Sequence, residues 1–375
     1  MNIDLQVRGQ RIYVKCEWTV KKPDHSFALG QLLRLCAAQN NSKAIHPDRI
    51  EPCELQFRPA MTRYFFSNLE PGTLYIEYEG GLEGAFLFMQ PEIYHFSFYN
   101  GWYPVDFDAE EKYDMSLHAG DEYQLINGRY DPDLGLWRYV CDNKEVPDCN
   151  VLLLCKSRYH CVQQEGVSFW YFEPSHGDRV GQLAEHYASI REFYKKFYGH
   201  ITAEDVSLVV LPEKYHNYGA YQRERLTVFS ELQGEMGDKI HGLAHELGHI
   251  YGAGADTATW EDWLNETHAE WSALLYLREC QPQIFAAAVE WLEQNYKQSG
   301  TLRPHGDARP NEVHDTGTLI YYDIYKTWGL SEIEALLRIF DGLPTKDTEH
   351  FLQALKSRHP DSYKILLEKC REGKR

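Results

Sequence analysis

The chain has 375 residues, 43% hydrophobic and 25% charged, a composition that excludes disorder for its bulk and, at about 150 residues per domain, suggests two domains. Its net charge is −18, spread evenly: 16 basic and 25 acidic residues run up to Ser175, 22 and 31 after it. A field of that sign repels phosphates, which argues against nucleic acid or an anionic membrane as the main partner.

At the start, MNIDLQVRGQ sets Asp4 and Arg8 where a secretion signal needs an apolar stretch. Up to about residue 173 the apolar period is mostly two. The stretches 73–81, 84–89, 94–104, 150–157 and 166–174, rich in aromatic and β-branched residues, read as strands; residues 32–38 fit a strand or a short helix equally. A breaker cluster, PSHGDRVG (174–181), follows, and the period becomes helical. Leu183, Tyr187, Ile190, Tyr194 and Phe197 mark one face of a helix that stops at Gly199. Residues 206–212 read as a buried strand, 225–231 as another, and the chain beyond Asp238 as mainly helical. Two domains are therefore expected, 1–175 rich in β-structure and 176–375 mixed α/β. Apolar runs reach only about five residues, as in Val151 to Cys155, so no membrane insertion is expected. Nine cysteines at irregular spacing, with no CxxC pair, point to neither a disulfide framework nor a thiolate metal site, and a cytoplasmic setting is the expectation. Nothing in the sequence speaks to oligomeric state.

HGLAHELGHIYG contains His245, Glu246 and His249, an HExxH. On a helix, residues four apart stack on one face, so both imidazoles can share one ion, and Glu246 lies where a carboxylate can take a proton from an activated water. With 17 His, the bare pattern arises by chance in about 7% of such chains, so context must decide. WEDWLNETHAEW (260–271) supplies it: Glu266 and Glu270 share a face of a second helical stretch, the first placed to complete a three-ligand zinc site, the second to hold a ligand imidazole from behind. His241, one turn before His245, reads as a packed or supporting residue. Gly242 and Gly248 interrupt this helix at about 1 kcal/mol each relative to Ala, which suggests that something approaches closely there. The loop 299–313 carries Arg303 and Arg309, which could hold a peptide carboxylate but read more simply as surface arginines.

HExxH followed by WLNE resembles the gluzincin metallopeptidases, specifically the aminopeptidase N family. The family has a slightly longer spacer and a glycine after the glutamate; here 16 residues separate His249 from Glu266, and Thr267 takes the glycine's place. WYPVDFD (102–108), REFYKKFYGHITAEDVSLVVLP (191–212), HDTGTLIYYDIYKTWG (314–329) and TKDTEHF (345–351) are similar to further family stretches, so the likeness covers roughly residues 70 to 355. It implies a saddle-like β-rich N-terminal domain followed by a thermolysin-like catalytic domain, an α+β protein without the family's C-terminal helical domain. It also implies one Zn²⁺ per chain on His245, His249 and Glu266, Glu246 as general base, and a peptide as substrate.

Two departures follow from that resemblance. The stretch matching the family's GAMEN motif is Gly219, Ala220, Tyr221, Gln222, Arg223, so Gln222 stands where a glutamate would pair with the substrate's free amino terminus, and Arg223 adds a like charge beside it. Glu224 is a substitute, though one residue on it faces the other side of a strand. His314 stands where the family has its oxyanion-stabilising tyrosine, and an imidazole can also donate there. Tyr321, Tyr322 and Tyr325 are rival donors whose spacing reads as core. The expected activity is metallopeptidase with altered recognition of the amino terminus; the alternatives are an oligopeptidase or endopeptidase that ignores it, and a lapsed scaffold that binds peptides or a protein.

Overall fold

The computed structural model describes residues 1–371 apart from 56, 108–112, 127, 142–149, 201–206, 216–218 and 224–225. The chain divides into two compact units, Met1–His160 and Cys161–Arg375.

The first unit is built from β-strands. Its largest sheet has eight, with Arg11–Val20 near the middle between Asn2–Arg8 and Gly72–Gly80. Ile12, Val14, Cys16, Trp18 and Val20 are buried while Arg11, Glu17 and Thr19 are exposed, the two-residue alternation of a sheet with one face in the core. Trp102 and Tyr103 of the WYP stretch are buried in that core, where Tyr78 Oη donates to the Trp102 carbonyl at 2.9 Å. The undecided segment is a strand, Leu33–Asn40. The stretch 84–89 is strand only from Phe88, because Gly84 and Phe86 both take positive φ and turn the chain. Likewise 94–104 keeps a strand only over Ile93–Phe96 before a single 3₁₀ turn, Phe98–Asn100.

The second unit opens on a five-stranded sheet in the order His160–Gln164, Val167–Tyr171, Ser207–Val210, Leu226–Phe229, Ala220–Arg223. The strand Val167–Tyr171 runs parallel to Ser207–Val210, and that one parallel to Leu226–Phe229. The boundary expected at 175 therefore lies at 160/161: the strands at 160–171, period-two like their predecessors, pair into the sheet of the following unit. Ala220–Arg223 pairs antiparallel with Leu226–Phe229 and forms the sheet edge among the described residues.

Eight helices accompany this sheet among the described residues: α1 (Gly177–Tyr198), α2 (Met236–Gly252), α3 (Trp263–Cys280), α4 (Pro282–Asn295), α5 (Val313–Trp328), α6 (Leu330–Asp341), α7 (Thr348–Leu355) and α8 (Pro360–Lys369). The α1 helix buries Leu183, Tyr187, Ile190 and Tyr194 and ends where Gly199, at φ 83°, closes it in the left-handed conformation. Each such apolar side chain contributes about 1.5–3 kcal/mol by leaving water. The α3 helix is buried on every side, Trp263, Leu264, Trp271, Leu274 and Leu277 included, so it is the axis of the unit. Its neighbours come close through glycine: a Cβ on Gly248 of α2 would lie 2.7 Å from the Ala269 carbonyl oxygen, and one on Gly317 of α5 would overlap Thr267. At Gly242 a Cβ would meet only the Phe229 ring at 3.9 Å, so of Gly242 and Gly248, both expected to mark a close approach, only Gly248 does.

Candidate metal centre

A helix buried all round should carry no charge, yet α3 carries Glu266 and Glu270. Buried carboxylates persist only when paired, and both are paired from α2. On α2 the residues Ile240, Leu243, Ala244 and Leu247 enter the core, which leaves His241, His245 and His249, four residues apart, on a shared stripe toward α3. His245 Nδ1 donates to Glu270 Oε2 at 2.9 Å, and His241 Nε2 donates to Glu270 Oε1 at 2.8 Å. The second nitrogen of His245 lies 3.3 Å from Glu266 Oε2, and His249 Nε2 lies 3.6 Å from the same oxygen. His314, in the first turn of α5, donates from Nδ1 to that oxygen at 2.8 Å. Three imidazoles thus converge on one oxygen of Glu266. Glu246 is buried within α2 beside His245.

The carboxylate is held from the other side too. Arg309 Nε donates to Asp262 Oδ2 at 2.7 Å, and its Nη2 lies 3.8 Å from Glu266 Oε1. Asp262 immediately precedes α3 and takes a bond from Asn265 Nδ2 at 2.8 Å; Asn265 also bonds both the N–H and the carbonyl of Ala255 at 3.0 Å. The reading of Arg309 as a surface residue is corrected: it is 15% exposed and belongs to the site. His241 has the supporting place expected of it, on Glu270, while the roles of Arg309 and Asp262 were missed; the acid at 262, one turn before Glu266, was the available signal, because the loop 299–312 has no period that fixes where its side chains go.

Burial pushes the Glu266 carboxyl up, but the attraction of His249 and the bonds from His245 and His314 overcome it and hold the group well below the carboxylate range. Burial likewise drives Glu270 up, and the charge of His241 with the bonds from both histidines carries it down. Burial would lower His245, but its bonds to Glu266 and Glu270 hold it well above ordinary histidine. Asp262 is raised by burial and by the neighbouring Glu266 charge, with Arg309 opposing. The carboxylates are thus balanced by protons on the imidazoles, and a metal cation could take the place of those protons.

Zinc with bonds of about 2.0–2.1 Å in a tetrahedron spaces its ligand atoms about 3.3 Å apart. The 2.8, 3.3 and 3.6 Å separations around Glu266 Oε2 bracket that value. Asp262 and Glu266 share the Arg309 guanidinium, and Glu270 pairs with the imidazoles of His241 and His245; with those imidazoles neutral, as metal ligation needs, the carboxylates exceed the cations and a dication balances them. Donor types, spacing and charge all fit zinc. His245, Glu266 and His314 each offer a ligand atom within 4.8 Å of the other two.

The remaining sequence-derived residues lie elsewhere in this unit. Gly219 (φ 73°) precedes the edge strand that carries Ala220, Tyr221 and Gln222, against which α2 packs, with Tyr221 and Gln222 buried. Glu224 lies outside the described residues. Tyr321 and Tyr322 are buried, with Tyr321 Oη 3.1 Å from His268 Nε2 and Tyr322 Oη donating to Glu293 at 2.8 Å.

No protein-family model matches the sequence, and none of the curated proteins does. Solved structures do. Leukotriene A4 hydrolase of Saccharomyces cerevisiae is similar at a TM-score of 0.69 and 14% identity, over 98% of this chain and 65% of that one. An M1 zinc metallopeptidase of Deinococcus radiodurans is similar at a TM-score of 0.65 and 15% identity, over 100% of this chain and 93% of that one. A variant of the latter bound to Tyr-Ser-Ala is similar at 0.63. At these identities the likeness shows the fold, a β-rich unit followed by a mixed α/β unit, and this chain spans less than two thirds of the yeast protein's length.

Proposed function

We propose that the second unit is a zinc-dependent peptidase in which His245, His249 and Glu266 hold one Zn²⁺ and Glu246 is the general base. The observation that carries the reading is the convergence of imidazoles on a single oxygen of buried Glu266, beside a helix that also presents Glu246. Zinc held there supplies Lewis acidity to a scissile carbonyl and to water. Glu246 takes the proton of the attacking water on its carboxylate and passes it to the leaving amine nitrogen. Glu270 fixes the tautomer of His245 by accepting from Nδ1, which turns Nε2 toward Glu266. His314 is positioned to donate to the carbonyl oxygen as charge develops on it. The edge strand Ala220–Arg223 takes the substrate backbone as an added strand, with Gly219, Ala220, Tyr221 and Gln222 along it.

Gln222 cannot pair with an ammonium as a carboxylate does, which favours a second reading: peptide cleavage that does not require a free amino terminus. The peptide bound to the similar Deinococcus protein supports the substrate class. The test is metal content together with hydrolysis of matched free and N-acetylated fluorogenic peptides. We expect about one zinc per chain, lost on His245→Ala or Glu266→Ala, and Glu246→Gln that keeps the metal and loses turnover. A zinc-loaded wild type that cleaves no peptide would leave the lapsed, peptide-binding scaffold as the reading.

A further inference from the structure

His314 is the nearest imidazole to the shared oxygen of Glu266, and the packing of two helices puts it there. Gly317, three residues on in α5, presses against α3 so closely that a Cβ would fall 3.1 Å from the Trp263 ring and on top of Thr267 Oγ1. Thr267 directly follows Glu266, so this contact delivers the first turn of α5 to the carboxylate. Nδ1 of His314 then stands 2.8 Å from Glu266 Oε2, and His314 shares with His245 and Glu266 the grouping of ligand atoms within 4.8 Å.

We propose that His314 is a fourth protein ligand of the metal in the resting protein, joining His245, His249 and Glu266 and closing the coordination position that a reactant would use. The inference rests on the metal centre of the preceding reading. Zinc sites with four protein ligands are closed, and those with three keep a position open; the difference decides whether a peptide carbonyl or a small anion meets a vacant position or must displace a side chain. The fourth bond is weak and exchangeable for two reasons. The side chain is 56% exposed, so it can swing into solvent. Ligation through Nδ1 also leaves the ring proton on Nε2, which faces Arg309 Nη2 at 3.5 Å, one donor against another. Once displaced, the same imidazole is free to donate to the substrate oxygen.

The experiment loads the full chain with Co²⁺ and reads affinity by chelator competition and coordination by the visible ligand-field bands. His314→Ala should weaken Co²⁺ binding tenfold or more and make its bands respond to acetohydroxamate at concentrations that leave the wild-type bands unchanged. His314→Cys, which returns a ligand atom, should recover much of the affinity; a merely packed residue would show no such recovery. Wild-type affinity and bands in His314→Ala, with metal lost in His245→Ala, would overturn the fourth ligand and leave the three-ligand centre standing. A wild type that binds no Co²⁺ would overturn both. Weakened metal binding in His314→Ala from a protein without peptidase activity would sustain this inference and sink only the enzymatic one.

Discussion

Gly248→Ala isolates the helix contact on which the geometry of the proposed metal centre rests. Its Cβ would lie 2.7 Å from the Ala269 carbonyl oxygen and 2.9 Å from Ala269 Cα, where ordinary contact begins near 3.4 Å. The obstacle is backbone and cannot rotate away, so α2 and α3 must part by up to about 0.7 Å. His245 and His249 flank Gly248 on one helix, and Glu266 sits three residues before Ala269 on the other. The separation therefore passes into the histidine–glutamate distances, in a class of site that tolerates about 0.2 Å. Overpacking costs about 1–3 kcal/mol, and replacing a helical glycine returns about 1, so metal-free stability should fall by at most about 2 kcal/mol. Zinc affinity should fall at least tenfold, about 1.4 kcal/mol. Chelator competition gives the affinity, and urea unfolding in EDTA gives the stability. Gly242→Ala is the control, since its Cβ meets only the Phe229 ring at 3.9 Å; it should keep the affinity and gain about 1 kcal/mol. If the two variants bind zinc alike, the helix contact does not set the site.

Gln222→Glu should raise kcat/KM for free-amine peptides over acetylated ones by roughly ten- to a hundredfold, the worth of one charge-assisted contact; an unchanged ratio would mean that another acid receives the amino terminus. In the first unit, His95 is fully buried, and burial pushes its imidazole down to about 3. The unfolded chain takes that proton near pH 6.5 and the folded chain does not, so this contribution is intact above 6.5 and is lost as pH falls toward 3, about 2 kcal/mol of it between pH 7 and 5. His95→Leu should flatten the dependence of urea unfolding on pH by that amount, and an unaltered slope would refute the assignment.

The helices carrying HExxH and WLNE were legible because an i,i+4 pair of His or Glu on one face, flanked by apolar residues, has a helical period. The long helix ending at Gly199 was legible for the same kind of reason, since apolar period and left-handed cap agree on one boundary. The strand read at 166–174 was grouped with the first domain although Val167–Tyr171 pairs with Ser207–Val210 of the second unit, because period two says that a segment is a strand and nothing about which sheet it joins. Arg309 was illegible, since it comes from an aperiodic loop and its partner Asp262 lies 47 residues away in the chain. His314 stood out in the sequence through resemblance to a family motif, but the spacing of a sequence could not say that its imidazole would meet Glu266 itself.

Asn265 has a kinetic consequence. Its one amide holds the N–H and the carbonyl of Ala255 as well as Asp262, so the connection between α2 and α3 is latched to the residue next to Glu266. Opening of the loop should then require release of Asn265, the neighbour of the carboxylate, so the two motions are expected to be coupled. The Ala255 amide should accordingly exchange with deuterated water at a rate set by that event and slow when the metal is present, which makes a single backbone proton a clock for how often the centre comes apart.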